Sequence, residues 1–201
     1  MIQQPRPQRR TRRRRVTRAL SPSNMTMEIA KIIVRSESES LDDIKVYLQG
    51  KVFHVTKIDY LPAILDSGVI RANSDGKLSS TFGIYNGFFK NRNCVSLFDY
   101  RPEPTEEIND FRRRCYPFQP ARPPSKGIAI LFLKSEYWDN LVPWTQSKDE
   151  KAHKEQIVPY VEAGYPVSIP LTHIDEIVSV ELTEDPDSIA AKYRKIHESK
   201  G

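Results

Sequence analysis

Three short stretches of the chain hold polar side chains with chemical potential: "FHVT" at 53–56, "CVSLF" at 94–98 and "KEQIVP" at 154–159. His54 and Thr56 are two positions apart in an alternating run, so a strand there points both side chains the same way. Ser96 is set among apolar neighbours, and Glu155 precedes an apolar run. Imidazole, hydroxyl and carboxylate groups serve hydrogen bonding and acid–base chemistry. Taken alone, His54 is either a core residue or a ligand contact.

Several common kinds of site are missing from the sequence. It has no glycine-rich phosphate loop, no cluster with metal-ligand spacing and no Ser-His-Asp order. Its two cysteines, Cys94 and Cys115, are too few for a disulfide framework. We read them as reduced thiols of a cytoplasmic protein, since no apolar run is long enough to span a bilayer and no stretch resembles a secretion signal.

The net charge of +5 comes from the beginning of the chain. The first 18 residues hold eight arginines and no acid, which leaves 23 basic and 26 acidic side chains in the remainder. We expect residues 1–24 to be a disordered tail able to contact phosphates non-specifically. The alternatives are a solubilising tail, or an upstream extension of a chain that starts at Met25 or Met27. Residues 25–201 then form a single domain.

The elements that position these groups follow from hydrophobic spacing. A first helix is predicted from Ile29, Ile32 and Ile33, which fall on one helical face, and a second runs from a Ser40 cap through Leu48. Strands and helices are then predicted in the following order: strand 51–56, helix 59–68, strand 94–101, helix from Thr105, central strand 128–134, strand 155–161, strand 176–182 and helix 185–201. Residues 72–93 are a long polar loop typical of a lid or binding loop. The result is an α+β domain.

Three segments together resemble the ADP-ribosyltransferase superfamily, and most nearly its DarT-like branch of bacterial and phage enzymes. They are "FHVTKIDYLPAILDSGVI", "NCVSLFDYR" and "HKEQIVPYVEAGYPVSIPLTHIDEIVSVEL", in the order and spacing of the family over roughly residues 50–182. The resemblance implies a split β-sheet with N-terminal helices and a C-terminal helix. It also implies NAD as co-substrate, no metal, and transfer of ADP-ribose to a nucleic-acid or protein acceptor by a toxin or phage-encoded modifier.

The resemblance also implies roles for individual residues. Glu155 would stabilise the oxocarbenium-like ribose, with Glu150 and Glu162 as alternatives, although Glu162 reads as part of a turn. His54, assisted by Thr56, would hydrogen-bond a ribose hydroxyl.

The remaining roles concern the dinucleotide and its surroundings. Ser96 would orient Glu155, Tyr85 or Phe88 would stack on nicotinamide, and Arg92 or Arg101 would contact the dinucleotide.

The acceptor side is expected just before Glu155. The segment there combines aromatic rings with positive charge, which suits single-stranded nucleic acid: Trp138, Trp144, Lys148, Lys151 and Lys154. The alternative is that both tryptophans anchor the loop on the core and the lysines form a solvated face.

The chain departs from arginine-specific toxins in two ways. Its second motif lacks their Ser-Thr-Ser form, and His153 stands where they have a glutamate or glutamine two residues before the catalytic glutamate. Both departures argue against arginine as acceptor. Two other functions stay open: a non-catalytic nucleic-acid-binding module on the same skeleton, and an RNA 2′-phosphotransferase-like enzyme.

Overall fold

The computed structural model describes residues 27–36, 38–78, 81–82, 86–122, 125–185, 187–189 and 192. Within these residues the strands are β1 Lys31–Ser36, β2 Val52–Lys57, β3 Val69–Ile70, β4 Cys94–Asp99, β5 Ile128–Leu133, β6 Val142–Pro143, β7 Glu162–Pro166, β8 Ile169–Pro170 and β9 Ile174–Thr183. The α-helices are α1 Asp42–Leu48, α2 Leu61–Ser67, α3 Phe88–Asn91, α4 Glu106–Arg114 and α5 Gln146–Asp149. The predicted tail 1–24 and most of the predicted helix 185–201 lie outside the described residues.

Seven strands form one mixed sheet in the order β1-β9-β5-β2-β4-β7-β6, and β3 pairs with β8 in a second, small sheet. Only β1 and β9 run parallel among the described pairs; the other ladders are antiparallel. The prediction of a mixed α+β chain built around a sheet agrees with this architecture. The most apolar run, β5, is buried at every position and lies inside the sheet, as predicted.

Apolar side chains cover both faces of the large sheet. On one face Phe53, Phe98 and Phe132 pack with α1, and the Phe53 and Phe98 rings stack at 5.3 Å between centroids. On the other face Leu131 and Ile177 pack with residues of α2 and the small sheet. Each fully buried side chain of this size contributes about 2–3 kcal/mol of transfer free energy. The sheet is therefore a stable support for groups at its strand ends.

The ladder between β2 and β4 is unusually short. It holds two residue pairs, Val52 with Asp99 and Phe53 with Phe98. Past these pairs β2 continues against β5, and β4 continues against β7. The two strands therefore separate within the sheet, on the side where His54 lies.

The helix predicted from the early isoleucines is wrong where the structure describes it. Residues 31–36 form β1, which pairs in parallel with β9 at the edge of the sheet. Ile33 is buried in this strand, whereas Ile32 is 70% exposed. Spacing of three and four residues fits a helical face, but pairing with a strand near the other end of the chain decides the conformation. The second predicted helix is confirmed as α1, but the predicted Ser40 cap is wrong, because Leu41 is the N-cap residue and no side chain caps this helix.

The strand predicted over 155–161 is also wrong. Residues 155–161 form turns and a single bridge between Gly87 and Gln156, and the strand begins at Glu162 instead. Pro159 explains the shift, because proline lacks the N–H that a paired strand interior needs. The helix over 59–68 is confirmed in its main part, with Gly68 ending α2 at φ +68°. Thr105 caps α4 as predicted by accepting the Ile108 N–H at 3.2 Å.

Gly164 lets α3 lie directly on β7. A Cβ atom placed there would stand 2.3 Å from Cδ1 of Phe89, whose side chain is only 2% exposed. We therefore expect Gly164→Ala to lower the free energy of unfolding by about 1–3 kcal/mol or more, because the ring must be displaced from a filled core. Urea denaturation measures the change. The control Glu181→Ala, at an exposed strand position, should stay within about 0.5 kcal/mol of the wild type; an equal effect at both positions would contradict the packing argument.

Candidate functional site

A cavity of about 640 Å³ opens where β2 and β4 separate. Its walls come from β2, β4, α2, α3, the loop that follows β3, and the ends of α4 and β7. Small-molecule sites typically occupy roughly 300–1,000 Å³, so the volume suits a ligand of that class. The residues that line the cavity include His54, Thr56 and Ser96, which the sequence predicted as site residues. They also include Glu162, which the sequence offered only as an alternative to Glu155.

His54 lies at the point where the two strands part. Its Nδ1 is 3.0 Å from the backbone carbonyl of Ser96, so Nδ1 carries the proton and donates to that oxygen. Burial lowers the pKa of His54 below its usual value, which keeps the ring neutral near pH 7 and leaves Nε2 as an acceptor. Thr56, two residues further along β2, also lines the cavity and is 4% exposed.

Ser96 is the exposed position in the middle of the otherwise buried strand β4. The pairing of Phe53 with Phe98 places Ser96 on the opposite face of the ladder from His54. Both nevertheless line the same cavity, because the strands separate beyond that pair. The predicted contact between Ser96 and Glu155 is not among the hydrogen bonds of the described residues; the ladder partner of Ser96 is Gly164.

Glu162 is one of three carboxylates that line the cavity, and Asp59 and Asp66 are the others. It opens β7 opposite Phe98, and its Oε2 accepts the backbone N–H of Val158 at 2.6 Å. Burial raises the pKa of Glu162 to about 7, and the Val158 N–H opposes this shift. Cys115, at the end of α4, also lines the cavity; burial and then the nearby charge of Glu162 raise the pKa of its thiol to about 12.

The sequence interpretation placed Glu162 in a turn, and that placement is wrong. The available signal was Pro159, which disfavours a strand before it and moves the strand start to the glutamate that follows. Glu155, by contrast, lies in a turn and is not among the residues that line the cavity. Its two oxygens accept from Asn91 Nδ2 at 3.0 Å and from Arg92 Nη1 at 2.5 Å.

The two arginines predicted to contact a dinucleotide are both engaged with carboxylates. Arg92 pairs with Glu150 as well as Glu155. Arg101 forms a two-pronged contact with Asp99, with Nε to Oδ1 at 2.8 Å and Nη2 to Oδ2 at 2.6 Å. Neither arginine lines the cavity. Of the two rings proposed to stack on nicotinamide, Phe88 lines the cavity, whereas Tyr85 lies outside the described residues.

The tryptophans predicted to bind the acceptor have different surroundings. Trp138 donates from Nε1 to the Leu133 carbonyl at 3.2 Å and packs against the core, as in the anchoring interpretation. Trp144 lies 4.5 Å from the Tyr160 ring, between centroids, with the Lys148 ammonium 4.4 Å from its own centroid. Lys151 is exposed. Trp144 and Lys151 belong to the segment that leads towards β7, whereas Trp138 packs against the hydrophobic core.

In the part of the chain that the structure describes, no cluster of three or more histidine, cysteine or acidic side chains could hold a metal ion. Over the same residues, no helix has the length and apolar character needed to cross a membrane. Comparisons with protein-family models, with curated proteins and with solved structures find no match to this chain.

Proposed function

We propose that this protein is an NAD-dependent ADP-ribosyltransferase, and that its sheet is the split sheet of that superfamily. The observation that carries the proposal is that His54 and Glu162 line one cavity, which opens where β2 and β4 separate. The three sequence segments that resemble the superfamily supply the two strands and the strand that begins at Glu162. The carboxylate assigned to the reaction is thus Glu162 rather than Glu155.

The proposed reaction breaks the bond between C1′ of the nicotinamide ribose and the ring nitrogen. Nicotinamide leaves with the bonding electron pair, and the ribose acquires oxocarbenium character. An ionised Glu162 beside the sugar stabilises this positive charge, because a carboxylate held in a largely buried site acts at low effective dielectric. The acceptor atom then forms the new bond to C1′ and loses its proton, which Glu162 accepts as general base in this proposal.

The other cavity residues bind and orient the dinucleotide. His54 donates from Nδ1 to the Ser96 carbonyl, so its Nε2 accepts a hydrogen bond from a ribose hydroxyl. The Ser96 hydroxyl is exposed on the same side of the β4–β7 pair as Glu162 and is placed to contact the same sugar. Phe88 forms part of the apolar wall against which nicotinamide stacks.

The acceptor end of the proposal depends on charge in the segment before β7. Arg92 pairs with both glutamates of the segment, Glu150 and Glu155, and its single positive charge offsets one of their two negative charges. Three exposed lysines of the same segment have no ion pair among the described residues: Lys148, Lys151 and Lys154. Positive charge beside the Trp144 ring favours a nucleic-acid acceptor. A protein acceptor is the alternative.

The test is incubation of the full chain with NAD labelled in its adenylate part. We expect release of nicotinamide and transfer of label to single-stranded nucleic acid, or to protein if that alternative holds. Absence of NAD binding together with absence of nicotinamide release would overturn the proposal.

His54→Ala is expected to weaken NAD binding about tenfold, the equivalent of about one hydrogen bond to a neutral group. Isothermal titration calorimetry measures the affinity. His173→Ala is the matched control, because His173 stacks on Tyr137 and does not line the cavity. Equal affinities for the two variants would exclude His54 as a ligand contact.

A further inference from the structure

Arg92 is the most heavily engaged side chain near the cavity. Its Nε donates to Glu150 Oε2 at 2.7 Å and its Nη2 contacts the same oxygen. Its Nη1 donates to Glu155 Oε2 at 2.5 Å and to the Phe88 carbonyl at 2.8 Å. The guanidinium also lies 3.5 Å from the centre of the Phe88 ring. One arginine therefore ties α3 to two points of the segment that precedes β7.

Backbone and side-chain amide groups add further contacts between α3 and the segment that precedes β7. We call these contacts, together with those of Arg92, the junction. Phe88 donates its N–H to the Gln156 carbonyl at 2.9 Å, and Gln156 donates its own to the Asn86 carbonyl at 2.9 Å. Asn86 Nδ2 donates to the Lys154 carbonyl at 2.8 Å. Phe88 and Gln156 both line the cavity, although Arg92 does not. The junction therefore fixes a wall of the cavity from outside it.

A short path of chain connects the junction to the candidate catalytic carboxylate. Three residues after Glu155, the Val158 N–H donates to Glu162 Oε2, and Glu162 returns its own N–H to the Val158 carbonyl at 3.1 Å. Tyr160, between them, adopts φ +60°, a conformation that a bulky residue keeps only when its surroundings impose it. The direction of the Glu162 carboxylate thus depends on where residues 155–158 are held.

We propose that Arg92 is a positioning residue: by holding Glu155 and Glu150 against α3, it fixes the Val158 N–H against Glu162 and acts on the reaction through that carboxylate. The effect on catalysis rests on the proposed function, whereas the effect on Val158 does not. This role differs from the direct dinucleotide contact that the sequence suggested for Arg92.

The geometry requires arginine specifically. Three nitrogens of a planar fork reach two carboxylates and a carbonyl at once, which the single ammonium of lysine does not reproduce. Cys115 faces Glu162 from the end of α4, and its thiol is protonated at neutral pH. The hydrogen bond from the Val158 N–H favours the ionised form of Glu162, so loss of this hydrogen bond raises the pKa of Glu162.

The first readout is amide hydrogen exchange at residues 155–158 in the free protein. We expect Arg92→Gln, and equally Arg92→Lys, to speed exchange of the Val158 amide about tenfold, a typical coupling within one hydrogen-bond network. Arg92→Gln combined with Glu155→Gln should exchange no faster than Arg92→Gln alone. The control is Arg35→Lys. Arg35 lies on the edge strand β1 and forms an exposed ion pair with Asp43, so its replacement should leave exchange at Val158 unchanged.

The second readout is the pH dependence of nicotinamide release. In Arg92→Gln the acidic limb should move to higher pH, with a fall in kcat and little change in KM for NAD, and Glu155→Gln should reproduce the direction of the shift. Unchanged exchange and an unmoved limb, with a raised KM, would show a direct dinucleotide contact and overturn the proposal. Wild-type behaviour of Arg92→Lys would overturn the requirement for a fork. If the wild type releases no nicotinamide, the proposed function fails, and the exchange measurement still decides the positioning role.

Discussion

Glu162→Gln is expected to slow nicotinamide release by about 100- to 1,000-fold, the loss typical of removing one group that stabilises transition-state charge. Glutamine keeps the shape of glutamate and can still meet the Val158 N–H through its carbonyl oxygen, so the variant should fold and bind NAD. What it loses is the negative charge beside the developing oxocarbenium ion. The rate is measured by chromatography of released nicotinamide, and NAD affinity by calorimetry.

Glu155→Gln is the matched comparison, because it makes the same chemical change seven residues earlier and outside the cavity. It removes one of the carboxylates held by Arg92, so we expect a fall in kcat of no more than about tenfold, the size of a network coupling. The opposite order, with Glu155→Gln inactive and Glu162→Gln active, would return the catalytic role to Glu155. If both variants are as active as the wild type, neither Glu155 nor Glu162 has a catalytic role.

The elements built from local pattern were predictable from the sequence. Alternation in "KVFHVT" gave β2, and Gly68 at the end of an apolar helical face gave the end of α2. The early isoleucines show the limit of such reasoning, because their spacing satisfies a helix and their true partner, β9, lies near the other end of the chain. Strand pairing over that separation decides the conformation, and no local window contains it.

The candidate site divides in the same way. His54, Thr56 and Ser96 were identified by their positions on strands, and the structure places all three on one cavity. Their convergence depends on the early end of the β2–β4 ladder, which local pattern did not predict. Choosing Glu162 over Glu155 depended on where β7 begins, and the engagement of Arg92 depended on tertiary contacts. The sequence shows that an arginine is present, but it does not show which carboxylates pair with it.

The free energy of unfolding should depend on pH through Glu162. Its pKa is about 7 in the folded protein, against an ordinary value of 4.5, so the folded state retains a proton that the unfolded state has lost between those two values. Stability contributed by the protonated form is fully present below pH 4.5 and is lost as pH rises through 7. The group is largely buried, and its pKa shift corresponds to about 3 kcal/mol of unfolding free energy.

The comparison of wild type with Glu162→Gln isolates this contribution. His54 acts in the opposite sense, since burial lowers its pKa and folding then resists protonation as pH falls, but that effect is common to both proteins and cancels in the difference. Relative to the wild type, Glu162→Gln should therefore gain about 3 kcal/mol of stability between pH 4.5 and pH 8, measured by urea denaturation at each pH. A difference that stays constant with pH would mean that Glu162 titrates alike in the folded and unfolded chains. Such a carboxylate would be solvated rather than held in the cavity, and both the burial argument and the catalytic assignment built on it would fail together.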